Sequence, residues 1–158
     1  MISRLGFDIR FVETSNFHAG SLSNVHQACF IASWSPKDVE ELLILPNVFG
    51  VMAEIMIQNK DSLIGFILCS ATHEECEILT ISVLPDWRRQ GIGRLLLEYA
   101  GTKIKHTNVK KIFLEVAENN NAARRLYFDQ GFEEIGRRPR YYRQLEGRVD
   151  AIQLAKKP

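Results

Sequence analysis

The sequence predicts a mixed α/β domain, with a mostly antiparallel sheet, one parallel pair of strands, and helices on both faces. Three observations point there. Helical and strand periods interleave along the chain, three strand-like runs follow one another across short polar turns, and a strand, a glycine turn, a helix and another strand form one crossover unit. With 158 residues, 46% of them hydrophobic, the chain has the material for a single domain over residues 1–158 with a sizeable core.

Residues 8–13 alternate, Ile9 and Phe11 against Arg10 and Glu13, as a half-buried strand does. A helix is expected within residues 20–30. The next begins at Ser35-Pro36-Lys37-Asp38: Ser caps, Pro has the φ of a first helical residue, and an acid in the first turn meets the positive end of the helix dipole. Residues 48–57, 63–71 and 77–84 read as strands of a meander, turning at Asn59-Lys60-Asp61 and His73-Glu74-Glu75. Ile92, Leu95, Leu96, Tyr99 and Ala100 recur at helical spacing, so a helix covers residues 91–105 with that stripe inward. Residues 111–117 return to strand. Asn120 or Asn121 caps a helix bearing Ala123, Leu126 and Tyr127, and Gly131 ends it in left-handed backbone. Residues 132–136 and 150–155 close the chain as strands.

Twenty Lys and Arg against nineteen Asp and Glu leave too weak a field for nucleic-acid binding on charge alone. No apolar run approaches the roughly 20 residues that cross a bilayer, and Met1-Ile2-Ser3-Arg4 has no signal-peptide core; a soluble, cytoplasmic protein with no membrane contact is expected. Cys29, Cys69 and Cys76 are odd in number and lack Cys-x-x-Cys spacing, which favours free thiols over a disulfide framework or a zinc site. His18, His26, His73 and His106 share no spacing and are expected on the surface or at caps, with no metal site. Oligomeric state is not legible.

Arg88-Arg89-Gln90-Gly91-Ile92-Gly93-Arg94 joins a strand to a helix. Two glycines let the backbone curl so that N–H groups not yet in the helical ladder point outward, backed by the helix dipole. Such a turn holds phosphate, and Arg89 and Arg94 would add charged contacts. A P-loop would need Gly-Lys-Ser/Thr, and a dinucleotide fold a third glycine where Leu96 stands; neither fits.

Farther on stand Phe113-Leu114-Glu115-Val116-Ala117-Glu118-Asn119-Asn120-Asn121-Ala122-Ala123-Arg124-Arg125-Leu126-Tyr127 and Gln130-Gly131-Phe132. With Leu79-Thr80-Ile81-Ser82-Val83 and the glycine turn, they resemble the Gcn5-related N-acetyltransferase (GNAT) superfamily in order and spacing. Cys29-Phe30, Trp34-Ser35, Glu77-Ile78-Leu79-Thr80, Tyr141-Tyr142, Gly147, Asp150 and Ala151 narrow the likeness to the bacterial ribosomal-protein alanine N-acetyltransferases (RimI-like), over roughly residues 29–154.

That resemblance implies a splayed parallel strand pair with acetyl-coenzyme A in the wedge. Its pantetheine would pair with the backbone of Ile81, Ser82 and Val83, and its pyrophosphate would rest on the amides of Arg89, Gln90, Gly91, Ile92, Gly93 and Arg94; Asn120 matches a further coenzyme contact. Glu115 matches the proton acceptor, directly or through water, where burial beside apolar neighbours would tune it. Tyr127 matches the general acid for the departing thiolate, and a backbone N–H near Val83 could polarise the thioester carbonyl. The implied acceptor is a protein N-terminus, the alanine of the eighteenth small-subunit ribosomal protein, acetylated directly in a ternary complex. A lysine side chain or small amine is the alternative acceptor, and a non-catalytic acyl-coenzyme A binding module the alternative function. A route through a cysteine is disfavoured, because Cys69 lies in an apolar strand and Cys76 lacks a basic neighbour. Arg137-Arg138-Pro139-Arg140-Tyr141-Tyr142-Arg143 reads as a solvated loop, a small nucleic-acid patch or, by the resemblance, a wall of the acceptor cleft.

Overall fold

A computed structural model describes residues 2–4 and 7–158, with side chains from residue 8 onward. Eight strands form one sheet: β1 (Ile2–Arg4), β2 (Phe7–Glu13), β3 (Val48–Ile57), β4 (Lys60–Ala71), β5 (Glu75–Val83), β6 (Lys111–Ala117), β7 (Glu133–Gln144) and β8 (Gly147–Lys156). Their order is β1-β2-β3-β4-β5-β6-β8-β7. Helices α1 (Ala19–Cys29) and α2 (Pro36–Leu43) follow β2, α3 (Ile92–Ile104) joins β5 to β6, and α4 (Asn121–Asp129) joins β6 to β7. Every pairing is antiparallel except β5 with β6, so the expected architecture is the observed one. No helix among the described residues is long and apolar enough to cross a membrane.

Alternation along the strands makes two cores. On one face Ile55, Ile67, Cys69, Ile78 and Leu114 meet Ile92, Leu96 and Ala100 of α3 and Tyr127 of α4. On the other, Met52, Phe66 and Leu68 meet Leu22 and Val25 of α1 and Val39 of α2. The register of β4 on β5 slips between Leu68 and Cys69, so that Leu68 faces Thr80 and Cys69 faces Ile78. Leu79 is the extra residue of this bulge, and it keeps both Ile78 and Ile81 on the α3 side.

Local chemistry sets the helix ends. Ser35 Oγ accepts from the N–H of Asp38 at 3.2 Å while Asp38 Oδ2 accepts from the Ser35 N–H at 2.7 Å, a reciprocal cap that holds the Asp38 carboxyl below its ordinary range. Gly91 precedes α3 at φ 82° and Gly131 follows α4 at φ 82°, where a Cβ would be strained.

Three expectations are corrected. The turn between β3 and β4 is tighter than Asn59-Lys60-Asp61: Gln58 and Asn59 have positive φ and Ile57 already pairs with Lys60, the pattern of a two-residue hairpin loop. The basic segment 137–143 is strand, because β7 runs on to Gln144 against β8. His26 is a core residue, only 4% exposed: its ring stacks on Trp34 at 4.5 Å and Nδ1 accepts from the Trp34 N–H at 3.1 Å.

Candidate active site

The parallel pair is short. Glu75, Cys76 and Glu77 pair with Lys111, Ile112 and Phe113, and beyond them, among the described residues, β5 and β6 make no further ladder. From Ile78 onward β5 therefore turns one edge of its backbone toward a gap, as a ligand chain would need. Ile81, Ser82 and Val83 lie on that stretch, paired through their other edge to Ile67, Phe66 and Gly65. Ser82 Oγ is buried there without a hydrogen-bond partner in the protein, and the Val83 carbonyl accepts from Arg88 Nε at 2.9 Å and from the Cys29 thiol at 3.4 Å.

At the far end of β5 the chain enters the glycine turn. Arg89 takes φ 59° and Gly91 φ 82°, and the first bond of α3 runs from Leu95 N–H to the Gly91 carbonyl at 3.1 Å. The N–H groups of Ile92, Gly93 and Arg94 thus precede the ladder. Ile92 is buried and anchors the turn, whereas the Arg89 and Arg94 side chains are exposed. Gln90 reaches back to the Asp86 carbonyl at 3.1 Å, and Arg94 lies 3.8 Å from Glu98. Gly93 lets α4 come close, since a Cβ there would stand 3.1 Å from Leu126 Cδ2. A diphosphate fits this arrangement of amides and cations, and an extended amide chain fits the open edge of β5. Asn120 caps α4, its Oδ1 accepting from the Ala123 N–H at 3.2 Å.

Glu115 and Tyr127 begin on opposite faces of the sheet. On β6 the buried Ile112, Leu114 and Val116 face α3, so Glu115 faces the other way; Tyr127 rises from α4 into the α3-side core, 5% exposed and edge-on to Phe132 at 5.7 Å. Tyr142 is their common neighbour. Its hydroxyl donates to the Glu115 carbonyl at 3.3 Å, and it interacts electrostatically with the Tyr127 phenol and the Glu115 carboxylate. Burial, with Tyr142 and Cys69 nearby, pushes the Tyr127 phenol well above the ordinary range. Burial and then Glu115 push Tyr142 up to about 12. Both phenols stay protonated at neutral pH.

The surroundings of Glu115 are polar, contrary to the expected apolar neighbours. Arg138 Nε stands 2.8 Å from Oε1, and Gln153 Nε2 donates to the same oxygen at 3.0 Å. Glu77, on β5, shares this face. Burial, then the charge of Glu115, raises its carboxyl, and Arg138 opposes the shift. Arg138, Gln153 and the role of Glu77 escape sequence reasoning because they meet only through register, Glu115 opposite Gln153 and Gln153 opposite Gly136. The polar alternation in 75–77 and at Gln153 was the available signal, and it does not say which strands are neighbours.

A sheet opened by a short parallel pair, with a glycine turn leading from β5 into α3, defines a class. The acetyltransferase (GNAT) family model matches residues 20–132, and the chain belongs to that family. Among individual proteins it is similar to the [ribosomal protein bS18]-alanine N-acetyltransferase of Escherichia coli strain K12, with 38% identity over 147 residues, 93% of this chain and 95% of the relative. The crystal structure of the ribosomal-protein-S18-alanine N-acetyltransferase from Escherichia coli superposes with TM-score 0.86 at 27% identity, covering 95% of this chain and 94% of that one. Arabidopsis thaliana NAA60 in complex with acetyl-CoA shares the fold alone, TM-score 0.82 at 17% identity over 95% and 98% of the two chains.

Proposed function

We propose that this chain, as one domain over residues 1–158, transfers acetyl from acetyl-CoA to the α-amino group of the N-terminal alanine of ribosomal protein bS18. The similarity over 93% of the chain to enzymes bearing that name supports the acceptor. The observation that carries the chemistry is Tyr142, whose hydroxyl donates to the Glu115 carbonyl at 3.3 Å and which interacts electrostatically with the Glu115 carboxylate and the Tyr127 phenol.

The pantetheine runs along Ile81, Ser82 and Val83 on the edge of β5 that faces the gap, Arg89, Gln90, Gly91, Ile92, Gly93 and Arg94 receive the diphosphate, and Asn120, the cap of α4, adds a further coenzyme contact. Acetyl-CoA supplies the thioester. An α-ammonium, of pKa roughly 7.7 to 8, must shed a proton before its nitrogen can attack. Glu115 takes that proton, directly or through water; the new C–N bond forms as the C–S bond breaks; and Tyr127, held protonated by its burial, gives its hydroxyl proton to the thiolate. The nitrogen's second proton restores the phenol, so one proton leaves per turnover. No covalent acetyl-enzyme is required, in keeping with the buried, raised Cys69 thiol. Three free cysteines are consistent with work in the reducing cytoplasm.

Incubation of the purified chain with acetyl-CoA and a peptide carrying the bS18 N-terminus, followed by mass spectrometry, tests the reading. Acetate on the α-amine is expected. Acetate only on a lysine or a free polyamine overturns the acceptor, and coenzyme binding with no thiol release overturns the enzyme. Glu115→Gln and Tyr127→Phe should each lower kcat about 10² to 10⁴-fold, with KM for acetyl-CoA nearly unchanged.

A further inference from the structure

Glu115 is gripped on one oxygen only. Arg138 Nε and Gln153 Nε2 both reach Oε1, at 2.8 and 3.0 Å, and Oε2 takes part in neither bond. The seat of the Gln153 amide depends on Gly136, where an added Cβ would stand 2.6 Å from Gln153 Oε1. Arg138 is steadied in turn: its guanidinium carbon lies 5.2 Å from the centroid of Tyr141. Just after it β7 bulges, with Arg140 at φ 52° and its N–H donating to Asp150 Oδ1 at 2.9 Å. Among the described residues, the charged and titratable groups facing Glu115 are Glu77 from β5 and Arg138 and Tyr142 from β7, and β8 offers the uncharged amide of Gln153.

We propose that Arg138 and Gln153 are positioning residues that clamp Oε1 of Glu115 and present Oε2 to the acceptor ammonium, and that Glu77 offsets the positive charge the clamp introduces. This rests on Glu115 being the proton acceptor. A guanidinium beside the carboxylate repels an incoming cation. Glu77 reverses the balance, because two carboxylates around one guanidinium leave a net charge of −1, which the acceptor's +1 neutralises.

The test is the pH profile of kcat for three variants, with Glu115→Gln beside them. Arg138 is 53% exposed in its side chain, so solvent screening keeps its effect at the low end. Arg138→Gln should move the acid limb upward, and Glu77→Gln should move it downward. Arg138→Lys keeps the charge but loses the fixed planar fork; its limb should stay near that of the wild type while kcat falls about tenfold. The limb is read on folded, active enzyme, so lost stability does not imitate these shifts. Limbs that stay put, or move together, with Glu115→Gln inactive overturn the clamp and leave the proton acceptor standing. A Glu115→Gln enzyme of undiminished kcat overturns both.

Discussion

Gly65→Ala probes the junction between stability and coenzyme binding. Gly65 pairs with Val83, and a Cβ on it would stand 2.8 Å from the Ser82 carbonyl oxygen, 3.2 Å from Val83 Cγ2 and 3.3 Å from Val83 Cα. Two of these atoms are backbone and cannot swing aside, so β5 must move from β4 by about half an ångström, a gap that forfeits a quarter or more of each affected van der Waals contact. Overpacking of this kind costs about 1–3 kcal/mol, and at this chain length each kcal/mol lowers Tm by about 2–4 °C. The displaced residues are those proposed to pair with pantetheine. Weakening one or two backbone hydrogen bonds, each about 1 kcal/mol, should raise KM for acetyl-CoA about 5- to 30-fold. Thiol release under varied acetyl-CoA measures KM, and thermal melting measures the cost. Gly101→Ala is the control: it lies within α3 with nothing inside 4 Å of an added Cβ and should stabilise by about 0.5–1 kcal/mol. A Gly65→Ala enzyme with the Tm and KM of the wild type would refute the role given to this strand pair.

Other outcomes follow from particular side chains. Burial holds His26 at about 4, below its ordinary 6.5, so the neutral ring is the native one: its stabilisation is complete above pH 6.5 and is lost as pH falls toward 4, by at most about 3 kcal/mol. Melting curves between pH 4 and 7 should flatten in His26→Gln, and an unchanged slope sinks the assignment. Cys69 and Cys76 are fully buried while Cys29 is half-buried, its thiol on the Val83 carbonyl. Iodoacetamide should therefore label Cys29 first, and acetyl-CoA should slow that labelling; peptide mapping decides. Ser35→Ala removes the cap of α2 and should cost about 1 kcal/mol in denaturant melts.

Local signals carried much of the fold. Residues 48–57 and 111–117 are strands with the expected bounds, the first because a short apolar run can be covered on both faces and the second because a buried alternating run names its own faces, and Ser35-Pro36 starts a helix because a cap acts within one turn. Gly91 and Gly131 are left-handed, as their places beside helices require. By contrast, β7 runs past residue 136 into an arginine-rich stretch whose exposed side chains give no apolar period; what makes it strand is the ladder offered by β8. His26 is buried because Trp34, eight residues on, folds back over it.

The glycine turn and the order of Glu115, Asn120 and Tyr127 are written in the chain, since each depends on neighbours within a few positions. The grip on Glu115 is not, because Arg138 and Gln153 reach it through the lateral order β6-β8-β7, and strand order follows from how two cores pack on one sheet. The gap where β5 leaves β6 also belongs to the assembled sheet: three paired residues end at Glu77, and where a ladder between two strands more than thirty residues apart stops is decided by how the helices pack them side by side.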